Sequence, residues 1–160
     1  MSTQYTFKSP VGWISLVASE KGLQGIYLRR QKSIPSVRRL ESTDKSVRQL
    51  KKAVLQLMEY FSGHRKQFSL DFDIQGTDFQ RKVWNELSRI PYGQVCSYSD
   101  IAKKIRNPKA VRAVGSANGK NPLCIIVPCH RVIAADGTLG GYSGGLKVKS
   151  QLLKLEKVSL

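Results

Sequence analysis

The sequence predicts an α+β protein in two parts, a small antiparallel sheet with one helix over residues 1–75 and a mainly helical segment over 76–160. Three observations lead there. Apolar residues alternate with polar ones early in the chain and recur at three- and four-residue steps later, the periods of strand and helix. Near Gly76, turn chemistry gives way to helix-capping patterns. With 160 residues, 41% hydrophobic and 24% charged, the chain has a globular composition and room for one or two small domains.

The elements follow in order. Tyr5 and Phe7 alternate with polar neighbours, Val11 to Ala18 continues, Glu20-Lys21-Gly22 turns, and Leu23 to Leu28 returns. Residues 29–46, polar, basic and broken by Pro35, read as a loop. Val47, Leu50, Val54, Leu57, Met58 and Phe61 share one helical stripe, which Gly63 ends. Phe68, Leu70, Phe72 and Ile74 alternate strictly and predict a half-buried strand. Beyond Gly76, Thr77 and Gln80 form a capping box, and Phe79, Val83, Leu87 and Ile90 share one face up to Pro91. Ser97 with Asp100 opens a short helix through Ile101, Ala102 and Ile105. Asn107 at a cap and Pro108 at the first helical position predict another helix, Lys109 to Asn118, closed by Gly119. Leu123 to Val127, an apolar run ending at Pro128, reads as a buried strand that includes Cys124.

Lys and Arg total 27 against 11 Asp and Glu, a net charge of +16. That balance suits a polyanionic partner, nucleic acid before an anionic membrane. No apolar run approaches the roughly 20 residues that span a bilayer, and the first ten residues lack a secretory signal's apolar stretch. The expected location is cytoplasmic, or nuclear in a nucleated cell. The two short helices near residues 97–119 resemble a helix-turn-helix, whose second member normally meets DNA. Between Lys103 and Arg131 stand seven basic residues (Lys103, Lys104, Arg106, Lys109, Arg112, Lys120, Arg131) and no acidic one, which favours phosphate contact over a merely solvated face.

The three cysteines, Cys96, Cys124 and Cys129, make no disulfide framework, and with only His64 and His130 beside them no metal site is expected. Cys129 is followed by His130 and Arg131, and nearby imidazole or cationic groups lower a thiol's pKa from about 8.5. In an extended segment Cys129 and His130 point to opposite faces, so pairing needs a turn or a bridging water. The pattern leaves open whether Cys129 is reactive or a buried structural residue.

Val127-Pro128-Cys129-His130-Arg131-Val132 does not stand alone. Phe79-Gln80-Arg81-Lys82-Val83-Trp84, Ile90-Pro91-Tyr92-Gly93, Ser97-Tyr98, Asn107 to Gly115, Asn121-Pro122 and Gly141-Tyr142-Ser143-Gly144-Gly145-Leu146 occur in order around it. Together they resemble the O6-alkylguanine-DNA alkyltransferases over residues 77–156. The resemblance implies a ribonuclease H-like sheet and helix, then a winged helix-turn-helix domain that carries the reactive cysteine. It implies irreversible, stoichiometric transfer of an alkyl group from O6-alkylguanine, less readily O4-alkylthymine, to Cys129, with no cofactor. His130 is then the base, acting through an ordered water, and Glu156 orients it, as in a Cys-His-acid triad. Asn121 is the hinge residue before the active-site segment, and Tyr98 hydrogen-bonds toward N3 of guanine.

The same resemblance makes the partner double-stranded DNA with alkylated bases, bound in the minor groove by a monomer, without a membrane. A base in a duplex must be rotated out before its O6 is reached. Arg112 matches the finger that fills the vacated space, Ala113 and Gly115 allow close approach, and Lys109 and Lys120 flank the DNA-binding helix. Tyr142, Ser143 and Val132 are expected at the base pocket. Two rival readings remain, a helix-turn-helix regulator or damage sensor with a structural cysteine, and a thiol hydrolase using Cys129 and His130.

Overall fold

The computed structural model describes residues 1–159; Leu160, the last residue of the expected second segment, lies outside the described residues. The chain forms two compact units, Met1–Gln75 and Gly76–Leu160.

In the first unit, strands β1 (Thr3–Ser9), β2 (Gly12–Ala18) and β3 (Leu23–Tyr27) make an antiparallel sheet in the order β1-β2-β3. Tyr5 pairs with Leu16 and Phe7 with Ile14, and a bulge interrupts β2 between Val17 and Ala18. Helix α1 (Lys45–Phe61) packs on this sheet. Its buried face holds Val47, Leu50, Leu57 and Phe61 of the expected stripe and adds Ala53, Gln56 and Tyr60. Met58, expected inside, is 47% exposed.

The expected strand over Phe68–Ile74 does not form. Part of its backbone is taken elsewhere: Ser69 exchanges two hydrogen bonds with the buried Gln56 side chain, each 2.9 Å. An isolated bridge, Leu23 with Phe72, joins it to β3, and Gln24 Nε2 of β3 donates to Asp73 Oδ2 at 3.2 Å. Alternation in sequence cannot create a ladder where a side chain has claimed the backbone groups.

The second unit begins with α2 (Asp78–Leu87), whose capping box is complete in both directions between Thr77 and Gln80. Helix α3 (Tyr98–Lys104) carries a second box between Ser97 and Asp100. Helix α4 (Val111–Gly119) starts two residues later than the Asn107-Pro108 signal predicts. Residues 107–110 close a turn instead, Ala110 N–H donating to Asn107 O, and Lys109 sits on it. Trp84 Nε1 donates to Ala117 O at 2.9 Å in the core, and α2 and α3 both pack on α4.

Leu123–Val127 is a turn, not the expected strand. Ile125 adopts φ +75° and Val127 N–H donates to Leu123 O at 2.8 Å, a single helical turn that an extended chain cannot make. A 3₁₀ turn over Cys129–Arg131 follows, then β5 (Val132–Ile133), parallel to β4 (Cys96–Ser97), and α5 (Leu146–Leu155) closes the unit.

Candidate active site

Every residue of the site belongs to the second unit. The 3₁₀ turn is the reason Cys129 and His130 are not on opposite faces of a strand. Both are buried, Cys129 2% exposed and His130 not at all. His130 Nε2 lies 2.7 Å from Glu156 Oε2. A carboxylate only accepts, so Nε2 carries the proton and Nδ1 is left with a lone pair. That Nδ1 is buried and has no hydrogen-bond partner among the described residues. The ring is thus a base aimed into the interior. Burial holds its pKa below the ordinary value, against the opposing pull of Glu156.

Glu156 is buried at the end of α5 and accepts more than the histidine. Arg131 Nε and Nη2 reach its two oxygens at 2.8 and 3.1 Å, and Gly93 N–H reaches Oε1 at 3.1 Å. The sequence counts Arg131 among the DNA-facing charges. The structure corrects that: it is 5% exposed, donates to Ile90 O at 2.7 Å, and lies over the Tyr92 ring. The other six basic residues of that run are exposed.

A lowered thiol pKa is expected from the neighbouring imidazole, and the resting protein does not have one. Burial pushes the Cys129 thiol up, and Asn121, Lys149 and Tyr142 draw it down by less. The sulfur is therefore held as a thiol until a base removes its proton. Asn121 also pins the turn, its Nδ2 donating to Val127 O at 2.7 Å and its Oδ1 accepting from Leu123 N–H at 3.0 Å. Cys124 is driven to about 12 by burial and Cys96 is also raised, so neither is a competing thiolate.

A cavity of about 180 Å³ lies beside Cys129, lined by Tyr98, Gly115, Asn118, Gly119 and the loop residues Gly141, Tyr142 and Ser143. That is below the roughly 300 Å³ at which sites for drug-sized ligands begin, and suits a single planar heterocycle. Cys129 borders it through Tyr142, which interacts with the sulfur, and Asn118, whose Nδ2 faces Cys129 O at 3.5 Å. Tyr98, at the start of α3, keeps a raised pKa through burial and the nearby Cys129, and so stays a donor. Gly140 has φ +71°, and a Cβ there would come within 3.1 Å of the Tyr98 ring. Val132, expected at the pocket, does not line it; its side chain is fully buried and its carbonyl is occupied.

That carbonyl's donor is Lys149, which sequence reading missed. Its buried Nζ donates to Val132 O, Leu139 O and Gly141 O, tying the glycine-rich loop to β5. Burial lowers its pKa to about 8. Asn118 was missed too; it is buried and its Oδ1 has no partner among the described residues. No spacing signal marks either residue, since their partners are backbone atoms or a cavity. On α4, Arg112 and Ala113 are exposed and Gly115 faces Tyr98, with Lys109 and Lys120 exposed at either end. Ala117 faces the core.

The fold and these residues define a DNA-binding helix-turn-helix domain built round a buried cysteine, histidine and glutamate. Residues 78–158 match the 6-O-methylguanine DNA methyltransferase DNA binding domain, and residues 4–74 the ribonuclease-like domain of the same proteins. The chain belongs to this family. It is 47% identical over 150 residues to the methylated-DNA–protein-cysteine methyltransferase of Methanosarcina acetivorans, covering 94% of this chain and 95% of that one. The constitutive protein of that name from Bacillus subtilis is 42% identical over 161 residues, covering 99% and 98%. The crystal structure of Mycobacterium tuberculosis OGT in complex with DNA is similar at a TM-score of 0.86 and 42% identity, covering 97% of this chain and 92% of that one.

Proposed function

We propose that this chain performs direct-reversal DNA repair with Cys129 as the acceptor of an alkyl group from O6-alkylguanine, and less readily O4-alkylthymine. The observation that carries the reading is the Glu156–His130 pair buried next to Cys129, beside a cavity sized for one base. His130 Nδ1 takes the thiol proton through a bridging water, and Glu156 stabilises the imidazolium that forms. The sulfur attacks the alkyl carbon; the C–S bond forms as the C–O6 bond breaks, and the electron pair leaves on the purine. The purine takes up the proton the thiol released, with Tyr98 donating a hydrogen bond toward N3 and Tyr142 and Ser143 near O6. A thioether is not a leaving group under mild conditions, so each chain acts once.

DNA is the partner, and a monomer binds it in the minor groove. Helix α4 approaches closely over Ala113 and Gly115, Arg112 fills the stack behind the rotated nucleotide, and Lys109 and Lys120 take phosphates.

The experiment is a single-turnover incubation with an oligonucleotide carrying O6-methylguanine, followed by intact mass and peptide mapping. One alkyl group per chain, on Cys129, is expected; an unmarked Cys129 or multiple turnover removes the reading. Arg112→Ala should slow reaction with the duplex at least tenfold and leave reaction with free O6-benzylguanine unchanged.

A further inference from the structure

The repair reading uses only the second unit, yet the first holds an array of cations with no assigned task. From Arg29 to Arg39 there are five basic residues, Arg29, Arg30, Lys32, Arg38 and Arg39, and no acidic one. All five are exposed, and none forms an ion pair among the described residues.

The segment has no regular structure, but it is pinned. Gln4, a fully buried polar residue of β1, holds it through five hydrogen bonds. Its Nε2 donates to Gln31 O and Ile34 O, both 2.6 Å, and its Oε1 accepts from Gln31 N–H at 2.9 Å. Its backbone N–H donates to Pro35 O, and its carbonyl accepts from Val37 N–H. One residue thus fixes both limbs of the loop against the sheet edge. Arginines on a fixed backbone lose less conformational freedom on engaging an anion than those on a mobile tail.

Between loop and strand lies a cleft of about 480 Å³ lined by Tyr5, Thr6, Arg30, Ser36, Val37 and Arg38. No carboxylate lines it. The lining supplies two guanidinium forks and hydroxyl groups, the donor set that takes phosphate oxygens. A helix seated in a membrane interface pairs its cations with a broad apolar face, which this cleft lacks.

We propose that the 29–39 loop is a second nucleic-acid surface, in which Arg30 and Arg38 bind backbone phosphates independently of the α4 site. The test uses the full chain and an unmodified duplex, with affinity measured by fluorescence anisotropy across a salt series. Arg30→Ala/Arg38→Ala is compared with a charge-matched control, Lys51→Ala/Lys52→Ala, on the exposed face of α1.

The slope of log affinity against log salt should fall by about 0.9 for each phosphate that is no longer neutralised, hence by about 2 in the arginine variant. It should change little in the control. Alkyl transfer from free O6-benzylguanine should stay at the wild-type rate in both, which separates this surface from the repair chemistry. A slope in the arginine variant equal to that of the control overturns the proposal. So does an unchanged slope with weakened binding to phosphatidylserine vesicles, which would make the surface a membrane-binding one.

Discussion

Glu156 has more demands on it than the orientation of a histidine. Its carboxylate accepts from His130, twice from Arg131 and once from Gly93, all in the interior. Removing its charge strands a buried guanidinium, and breaking a buried pair costs about 3–5 kcal/mol. Glu156→Gln is therefore expected to lower stability by about that amount in urea unfolding and to slow transfer to Cys129. Normal stability in that variant would show that the Arg131 pairing carries little.

His130 sets a pH dependence. Burial holds the folded ring neutral, while the unfolded ring titrates at about 6.5. As pH falls through that value the unfolded state binds a proton that the folded state refuses. Stability is thus present above about 6.5 and declines below it, by at most about 1.4 kcal/mol per pH unit. Unfolding titrations from about pH 7 to 5 should show the slope, and His130→Gln should flatten it. At this scale Cys129, His130 and Glu156 were legible in the sequence through the family resemblance. Arg131, Lys149 and Asn118 were not, because what defines them is burial.

Among the elements, the local signals that held are the ones that close within a turn. The Thr77 and Ser97 boxes need only neighbours three residues away, and both form as the sequence predicts. Thr77→Ala and Ser97→Ala should each cost about 1 kcal/mol. A thermal melt of each variant checks this, and a shift for Ser97→Ala alone would mean that α2 does not depend on its cap. The two failed strands fail for different reasons. Residues 68–74 and 123–127 have strand-like patterns, but a strand needs a partner's backbone. Gln56 intercepts the first, and the left-handed Ile125 turns the second back on itself. The late start of α4 differs in kind: the Asn107-Pro108 signal marks a real turn that precedes the helix by one more step.

For the molecule as a whole, alkylation is a packing problem. Cys129, the proposed acceptor, is 2% exposed and sits in a turn followed by the fully buried Val132. Adding carbon there overpacks the interior at about 1–3 kcal/mol. For a chain of this size that lowers the melting temperature by roughly 2–12 °C. Calorimetry of the stoichiometrically alkylated protein should show the drop, and an unchanged melting temperature would mean that the adduct lies in the cavity without strain.

The sequence by itself determined the sheet-plus-helix beginning, the Thr77 and Ser97 caps and the excess of positive charge, while the family resemblance singled out Cys129 among the thiols. Periodicity, capping and composition depend on near neighbours or on none. Only the tertiary structure decided that the thiol rests protonated, that Arg131 serves the carboxylate rather than DNA, and that Lys149 and Gln4 fasten loops. Each of those outcomes turns on desolvation, and removal from water is a property of residues brought together from distant parts of the chain.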